Sequence, residues 1–184
     1  MGRNLEPKSK QERREGVKLF LKGEKGNSPK NPLVKRPYPP GQHGPTAKGG
    51  RLSSYGLQLR EKQKAKKFYR LLERQFSNYY TQAAGSQGET AEVLLQLLEK
   101  RLDNVCYRLG LAVSRDQARQ LVNHGHIFVN GHRVSSPSCM VKVGQEVSLA
   151  PTSAAKSTLI ETVIDKRMNS AVKVPEWLEL QKKE

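Results

Sequence analysis

Apolar residues recur at helical spacing along much of this chain and fall into short strand-like runs only between about residues 127 and 149. From about Ser54 to Ala84, the residues Ala65, Phe68, Leu72, Phe76, Tyr79 and Ala83 lie three and four apart, which predicts a helix with one apolar stripe. After the short linker Gly85-Ser86-Gln87-Gly88, Leu98, Leu102, Val105 and Leu109 predict a second stripe that Gly110 stops. Arg101 and Arg108 are then expected on another face of that helix. Ser114 is a candidate N-cap with Gln117 three residues on, and Ala118, Leu121 and Val122 supply the buried side of a helix that Gly125 ends. Arg115 and Arg119, four apart, are expected to share a face turned away from that core.

Ile127-Phe128-Val129, Asn130-Gly131 and His132-Arg133-Val134 predict a hairpin, because Asn-Gly readily takes the left-handed dihedrals of a type I′ turn. Val141, Val143, Val147 and Leu149, around Gly144-Gln145, predict two further short strands. Leu159, Ile160, Val163 and Ile164 predict one more helix after Pro151, and Trp177 is expected to be a packing anchor. Residues 1–50 have no sustained period and are crowded with Lys, Arg, Pro and Gly. Within them Arg13 to Lys22 is expected as a short helix lined by Val17, Phe20 and Leu21. Pro37, Pro39 and Pro40 hold the chain extended, and Gly41 and Gly44 allow close approach to another surface, so this segment reads as an arm that folds against something. The fold class is α+β: a mainly helical N-terminal domain with a basic extended arm, followed by a small αα-hairpin and antiparallel-sheet module.

Charge changes the picture more than composition does. The formal net charge is +16, and residues 1–80 carry +14 of it, with 20 Lys and Arg against 6 Asp and Glu. Lys62, Lys66, Arg70 and Arg74 recur every four residues, and the eight basic residues from Arg51 to Arg74 find only Glu61 and Glu73 nearby, too few for ordinary salt-bridge lacing. Self-repulsion of that size is best relieved by a polyanion, and nucleic acid is the usual one. Mean hydropathy is −0.72, with no apolar run of about 18 residues and no apolar leader near Met1. A membrane partner and secretion are therefore not expected, and a cytoplasmic protein is.

Catalytic constellations are hard to assemble. The chain has no GxSxG, Walker A, HExxH or CxxC motif, and an RNA-modifying enzyme would need an acid or nucleophile set that residues 1–95 do not offer. His124-Gly125-His126 has no evident third ligand, so no metal is expected. Cys106 and Cys139 are expected as small buried apolar residues. His43 has no carboxylate to orient it as a base, though it can donate to a phosphate or a base edge. Binding chemistry is better supplied: a basic arm bearing Tyr38 suits an irregular RNA junction, and a rigid module with Arg115 and Arg119 suits a shaped surface.

The segments Arg36-Pro37-Tyr38-Pro39-Pro40-Gly41-Gln42-His43-Gly44 and Ser54-Tyr55-Gly56-Leu57-Gln58-Leu59-Arg60-Glu61-Lys62-Gln63-Lys64 resemble the bacterial-type small-subunit ribosomal protein S-four family. So do Arg101-Leu102-Asp103-Asn104-Val105, Ser114-Arg115-Asp116-Gln117-Ala118-Arg119-Gln120-Leu121-Val122 and Val129-Asn130-Gly131, which match the RNA-binding module named after it. The resemblance covers nearly the whole chain in order. It implies a non-enzymatic structural protein that binds the 5′ domain of 16S rRNA early in small-subunit assembly. It also implies a first domain of residues 1–95 completed by 161–184, with the module, residues 96–160, inserted between.

The rRNA contacts expected on this reading are Arg3, Arg13, Arg14, Lys22, Arg36, Tyr38, Gly41, Gln42, His43, Gly44, Ser54, Tyr55, Arg60, Lys62, Gln63, Lys64, Lys66, Arg70, Arg74, Arg115, Arg119 and Asn130. The family lies at the mRNA entrance beside ribosomal protein S-five, and Lys48 and Arg51 are the candidates there. Some members hold zinc with four N-terminal cysteines, but Ser9 and Glu12 stand where the first pair would be, so neither zinc nor any other cofactor is expected. The family usually continues beyond Trp177-Leu178-Glu179-Leu180 through an apolar extended segment, whose packing is expected to be absent or replaced here. Location is expected in the small subunit, in the cytoplasm or an organelle, with no small-molecule substrate. The competing reading is a free RNA-binding factor carrying the same module, a translational repressor or a recycling factor for stalled subunits.

Overall fold

A computed structural model describes residues 2, 4–26, 28–46, 52–150 and 174–180 of a chain that divides into two compact units, Met1–Asn78 and Tyr79–Glu184. Arg3, Lys48, Arg51 and the helix expected at Leu159 to Ile164 lie outside the described residues.

In the first unit, α1 (Lys8–Glu15) starts earlier and stops sooner than the apolar pattern suggests. Gly16 ends it with φ 69°, its N–H bonding Glu12 O, so the expected helix from Arg13 to Lys22 does not form. Leu19 and Leu21 turn inward, whereas Val17 and Phe20 stay well exposed. The chain doubles back where the buried Glu12 carboxylate accepts from Leu21 N at 3.2 Å. The short α2 (Pro32–Lys35) starts with proline at its first position, where no backbone donor is lost. Asn31 caps it by accepting from Leu33 N, and its own amide donates to Gly26 O at 2.6 Å.

The long helix expected from Ser54 to Ala84 is two helices, α3 (Ser54–Phe68), capped by Ser53 Oγ, and α4 (Glu73–Ala84). They part at Arg70, which has φ 59°. An arginine in that region is strained, and two acceptors offset the cost: its guanidinium donates to Gln11 Oε1 at 3.0 Å and Asn4 O at 2.6 Å. Leu71, next to it, is completely buried. The apolar spacing of the sequence continues across the break, so periodicity could not reveal it.

In the second unit, α5 (Thr90–Glu99) and α6 (Leu102–Arg108) replace the single helix expected there. The chain from Cys139 to Val141 causes the interruption: Leu102 N donates to Cys139 O and Val141 N to Lys100 O, both at 2.8 Å. One of the two strands expected after the hairpin is thereby replaced by a bridge between Arg101 and Met140, and Val143 is fully exposed. α7 (Arg115–Asn123) is capped by Ser114 Oγ, while Gln117 Oε1 reaches back to Val113 N. β1 (Ile127–Val129), β2 (His132–Arg133) and β3 (Val147–Leu149) form an antiparallel sheet in the order β2-β1-β3. Asn130 and Gly131 both have positive φ, 50° and 77°, as the type I′ turn requires. Leu102, Cys106, Ala112, Ala118, Val122, Ile127 and Val129 form the core between α6, α7 and the sheet. Trp177 is not the anchor expected, being 52% exposed.

Candidate nucleic-acid interface

The arm of the first unit is held by an arginine from α1. Arg13 Nε donates to Arg36 O and Tyr38 O, each at 3.1 Å, and Nη2 to Pro39 O at 3.4 Å. Its guanidinium also lies 4.7 Å from the centre of the Tyr38 ring. Prolines supply carbonyls without donors, so an extended Pro-rich segment has to find its donors elsewhere, and Arg13 brings several on one planar fork. Arg13 and Tyr38, both expected on RNA, thus engage one another. As a result, the Arg36, Gln42 and His43 side chains stand exposed on a fixed backbone. Gly44 is buried, and a Cβ there would run into Pro39 O. The close approach that this glycine permits is therefore within the arm itself, not to another surface. Gly41, with φ 125°, supplies the turn before it.

None of the 15 residues of α3 is buried, yet its cations are not the unlaced row that the sequence suggests. Arg60 and Lys67 both reach the fully buried Glu15 carboxylate of α1. Lys62 and Lys66 share Glu73 at 2.6 and 2.7 Å, and Lys64 pairs with Glu61 at 2.6 Å. Hydrogen bonds from Lys62 and then Lys66 push the Glu73 carboxyl down to about 2. Two cations on one carboxylate leave positive charge over. Arg70, expected on the same outward face, is internal, while Arg74 and Tyr55 are exposed, Tyr55 at 71%. Ser54 is exposed as well, and Gln63 is half-buried.

The sequence-derived set omitted several exposed cations. Lys10, Lys18, Lys30 and Lys35 join Arg14, Lys22, Arg36 and Arg74 as exposed side chains with no ion pair among the described residues. The signal that could have found them is the scarcity of carboxylates across residues 16–46, where Glu24 is the single acid.

In the second unit the expected outward face of α7 is turned in. Arg115 and Arg119 are buried against the first turn of α6: Arg115 Nε donates to Asn104 Oδ1 at 2.9 Å and its guanidinium lies 4.4 Å from the Tyr107 ring centre. Arg119 Nη1 is 3.9 Å from Asp103 Oδ2. Asp103 already accepts two bonds from Arg101, at 3.1 and 2.7 Å, and Arg101 also donates to the Tyr79 hydroxyl. Burial opposes the Arg101 charge, but the facing Asp103 and Tyr79 more than compensate and raise its pKa. Arg101 is consequently an internal residue, not part of an outer face. Two faces of α7 are buried because α6 offers both an apolar stripe and the pair Asp103-Asn104, and that pair was the available sequence signal. Burial first, then Asp103, pushes the Cys106 thiol up to about 12, leaving it protonated near neutrality. Asn130 is exposed at the hairpin tip, yet its Oδ1 accepts from Glu146 N at 2.8 Å and ties the turn to the chain entering β3.

No group of three or more His, Cys, Asp or Glu side chains is placed to hold a metal ion among the described residues. Nor, among them, is any helix long and apolar enough to cross a membrane. Residues 3–99 match the family profile described as the ribosomal protein S4/S9 N-terminal domain, and residues 100–147 match the S4 domain. The chain is 52% identical over 182 residues to small ribosomal subunit protein uS4 of Thermoanaerobacter sp. (strain X514), covering 99% of this chain and 85% of that one. It is 56% identical over 153 residues to uS4 of Thermus thermophilus, covering 83% and 73%. With uS4 of Nitrosospira multiformis it shares 50% identity over 189 residues, covering 100% and 86%. An arm pinned on a helical unit, followed by an αα-hairpin with a three-stranded sheet, agrees in order with those two profiles: the chain belongs to the ribosomal protein S4 family.

Proposed function

We propose that this protein is a structural constituent of the small ribosomal subunit that binds the 5′ domain of 16S rRNA and nucleates assembly there, without enzymatic activity. One observation carries the reading. The first unit presents Arg14, Lys22, Arg36, Arg74 and four further lysines as exposed cations with no ion pair among the described residues, together with an arm whose backbone Arg13 holds. Exposed cations with few carboxylates nearby can turn to a shaped phosphate surface at a side-chain entropy cost, and a backbone that is already held adds little to that cost. On this reading residues 1–95, completed by 161–184, form the main rRNA-binding domain and 96–160 the second RNA-facing module. The protein then works in the cytoplasm beside ribosomal protein S-five at the mRNA entrance, where Lys48 and Arg51 face mRNA.

The test is binding of the full chain to a transcript of the 16S rRNA 5′ domain across a salt series. If six to ten phosphates are contacted, affinity falls by roughly a thousandfold or more between about 50 and 200 mM salt. Arg36→Ala should lower the slope of log affinity against log salt by about one. Binding that ignores salt, or no binding, overturns the proposal.

A further inference from the structure

The motif His124-Gly125-His126 takes no part in the cationic surface described above, yet the fold makes a recess of it. Gln117, Gln120, Leu121 and His124 lie at helical spacing along one side of α7 and its end, and His126 closes the recess from the chain entering β1. The cavity measures about 180 Å³. Its lining contains two carboxamides, two imidazoles and one leucine, with neither a carboxylate nor a lysine or arginine. The two imidazole rings stand 6.1 Å apart at 40°, so they offer two differently oriented flat faces. Gln117 is oriented by the bond its Oε1 accepts from Val113 N at 2.9 Å.

Beside the recess stands a fixed cation. Arg133 Nη2 donates to His124 O at 3.1 Å, and its guanidinium lies so close over Gly125 that any Cβ there would collide with it. Glycine at 125, with φ 73°, both ends the helix and makes room for that arginine.

We propose that this recess receives one unstacked nucleobase of the bound RNA. A polar lining without Asp, Glu, Lys or Arg and with a flat aromatic wall suits a heteroaromatic ring: carboxamides both donate and accept, as base edges require, and imidazole faces stack. A phosphate would find no lysine or arginine inside. Arg133, just outside, keeps guanidinium donors for the phosphate of the same nucleotide. The inference rests on the RNA-binding reading and adds a base-specific contact to a surface otherwise built on charge.

The test uses the full chain and the 16S rRNA 5′-domain transcript in buffer that keeps Mg²⁺ to hold the RNA folded and is stripped of transition metals. Wild-type protein should shield one unpaired base from chemical modification at its base edge. His124→Ala and Gln120→Ala, both at exposed side chains, should lose that protection and bind roughly tenfold more weakly, the effect of one stacked base, with an unchanged salt slope. His124→Phe keeps a flat face and should stay within about threefold of wild type. Wild-type affinity and protection in both alanine variants overturn the inference while leaving rRNA binding intact. A reduced salt slope in His124→Ala would place a phosphate in the recess, and protection that appears only on adding zinc would place a metal there; either result also overturns it. Absence of wild-type binding would sink both this inference and the reading beneath it.

Discussion

The two units bury different kinds of side chain at their centres. In the second, seven buried apolar residues between Leu102 and Val129 pack together as the core, and the buried arginines lie outside that cluster on Asp103 and Asn104. In the first, the buried set includes Gln11, Glu12, Glu15, Asn31 and Arg70 alongside Leu19, Leu21 and Leu71, and α3 contributes no buried residue. An apolar core is indifferent to salt, whereas shared carboxylates are not. The second unit thus takes more of its order from apolar burial, and the first more from polar bonds directed to α1, which RNA phosphates would supplement.

The largest effect is expected at the border of the apolar core. Asp103→Ala leaves the buried Arg101 and Arg119 without their carboxylate, and should cost about 3–5 kcal/mol in urea unfolding. A loss below about 1 kcal/mol would show that these charges are peripheral. Glu15→Gln comes next, because Arg60 and Lys67 both depend on it; a loss of about 2 kcal/mol is expected, confined to faster hydrogen exchange in α1 and α3 and larger at low salt. Equal acceleration in α6 and α7 would break the contrast between the units. Glu73→Gln should be smallest, under about 1 kcal/mol at neutral pH, since the carboxylate is half-exposed and solvent screens it. Its folded pKa, about 2, lies below the ordinary 4.5, so its contribution is complete above 4.5 and is lost as pH falls towards 2. An effect of the substitution that persisted below pH 2 would assign it another cause.

How far the sequence could be read varies by element. The Asn130-Gly131 hairpin and the Ser114 cap were legible because a few adjacent residues dictate them. Two of the long apolar stripes misled for one reason. Apolar residues three and four apart can continue through a break, and the breaks at Arg70 and Lys100-Arg101 are made by distant partners, Gln11, Asn4, Cys139 and Val141. The arm was legible as extended and basic, but the inward use of Arg13 and Tyr38 depends on α1 passing beneath it. Of the cations expected on RNA, Arg70, Arg115 and Arg119 are buried, while Arg14, Lys22, Arg36 and Arg74 are exposed.

By itself, then, the sequence determined the family, the basic first part and the local turns and caps, because each depends on neighbouring residues or on total charge. Only the tertiary structure decided which arginines face outward. A guanidinium is drawn equally to a carboxylate, a carbonyl or a phosphate, and its choice is set by which acceptor the fold brings within reach.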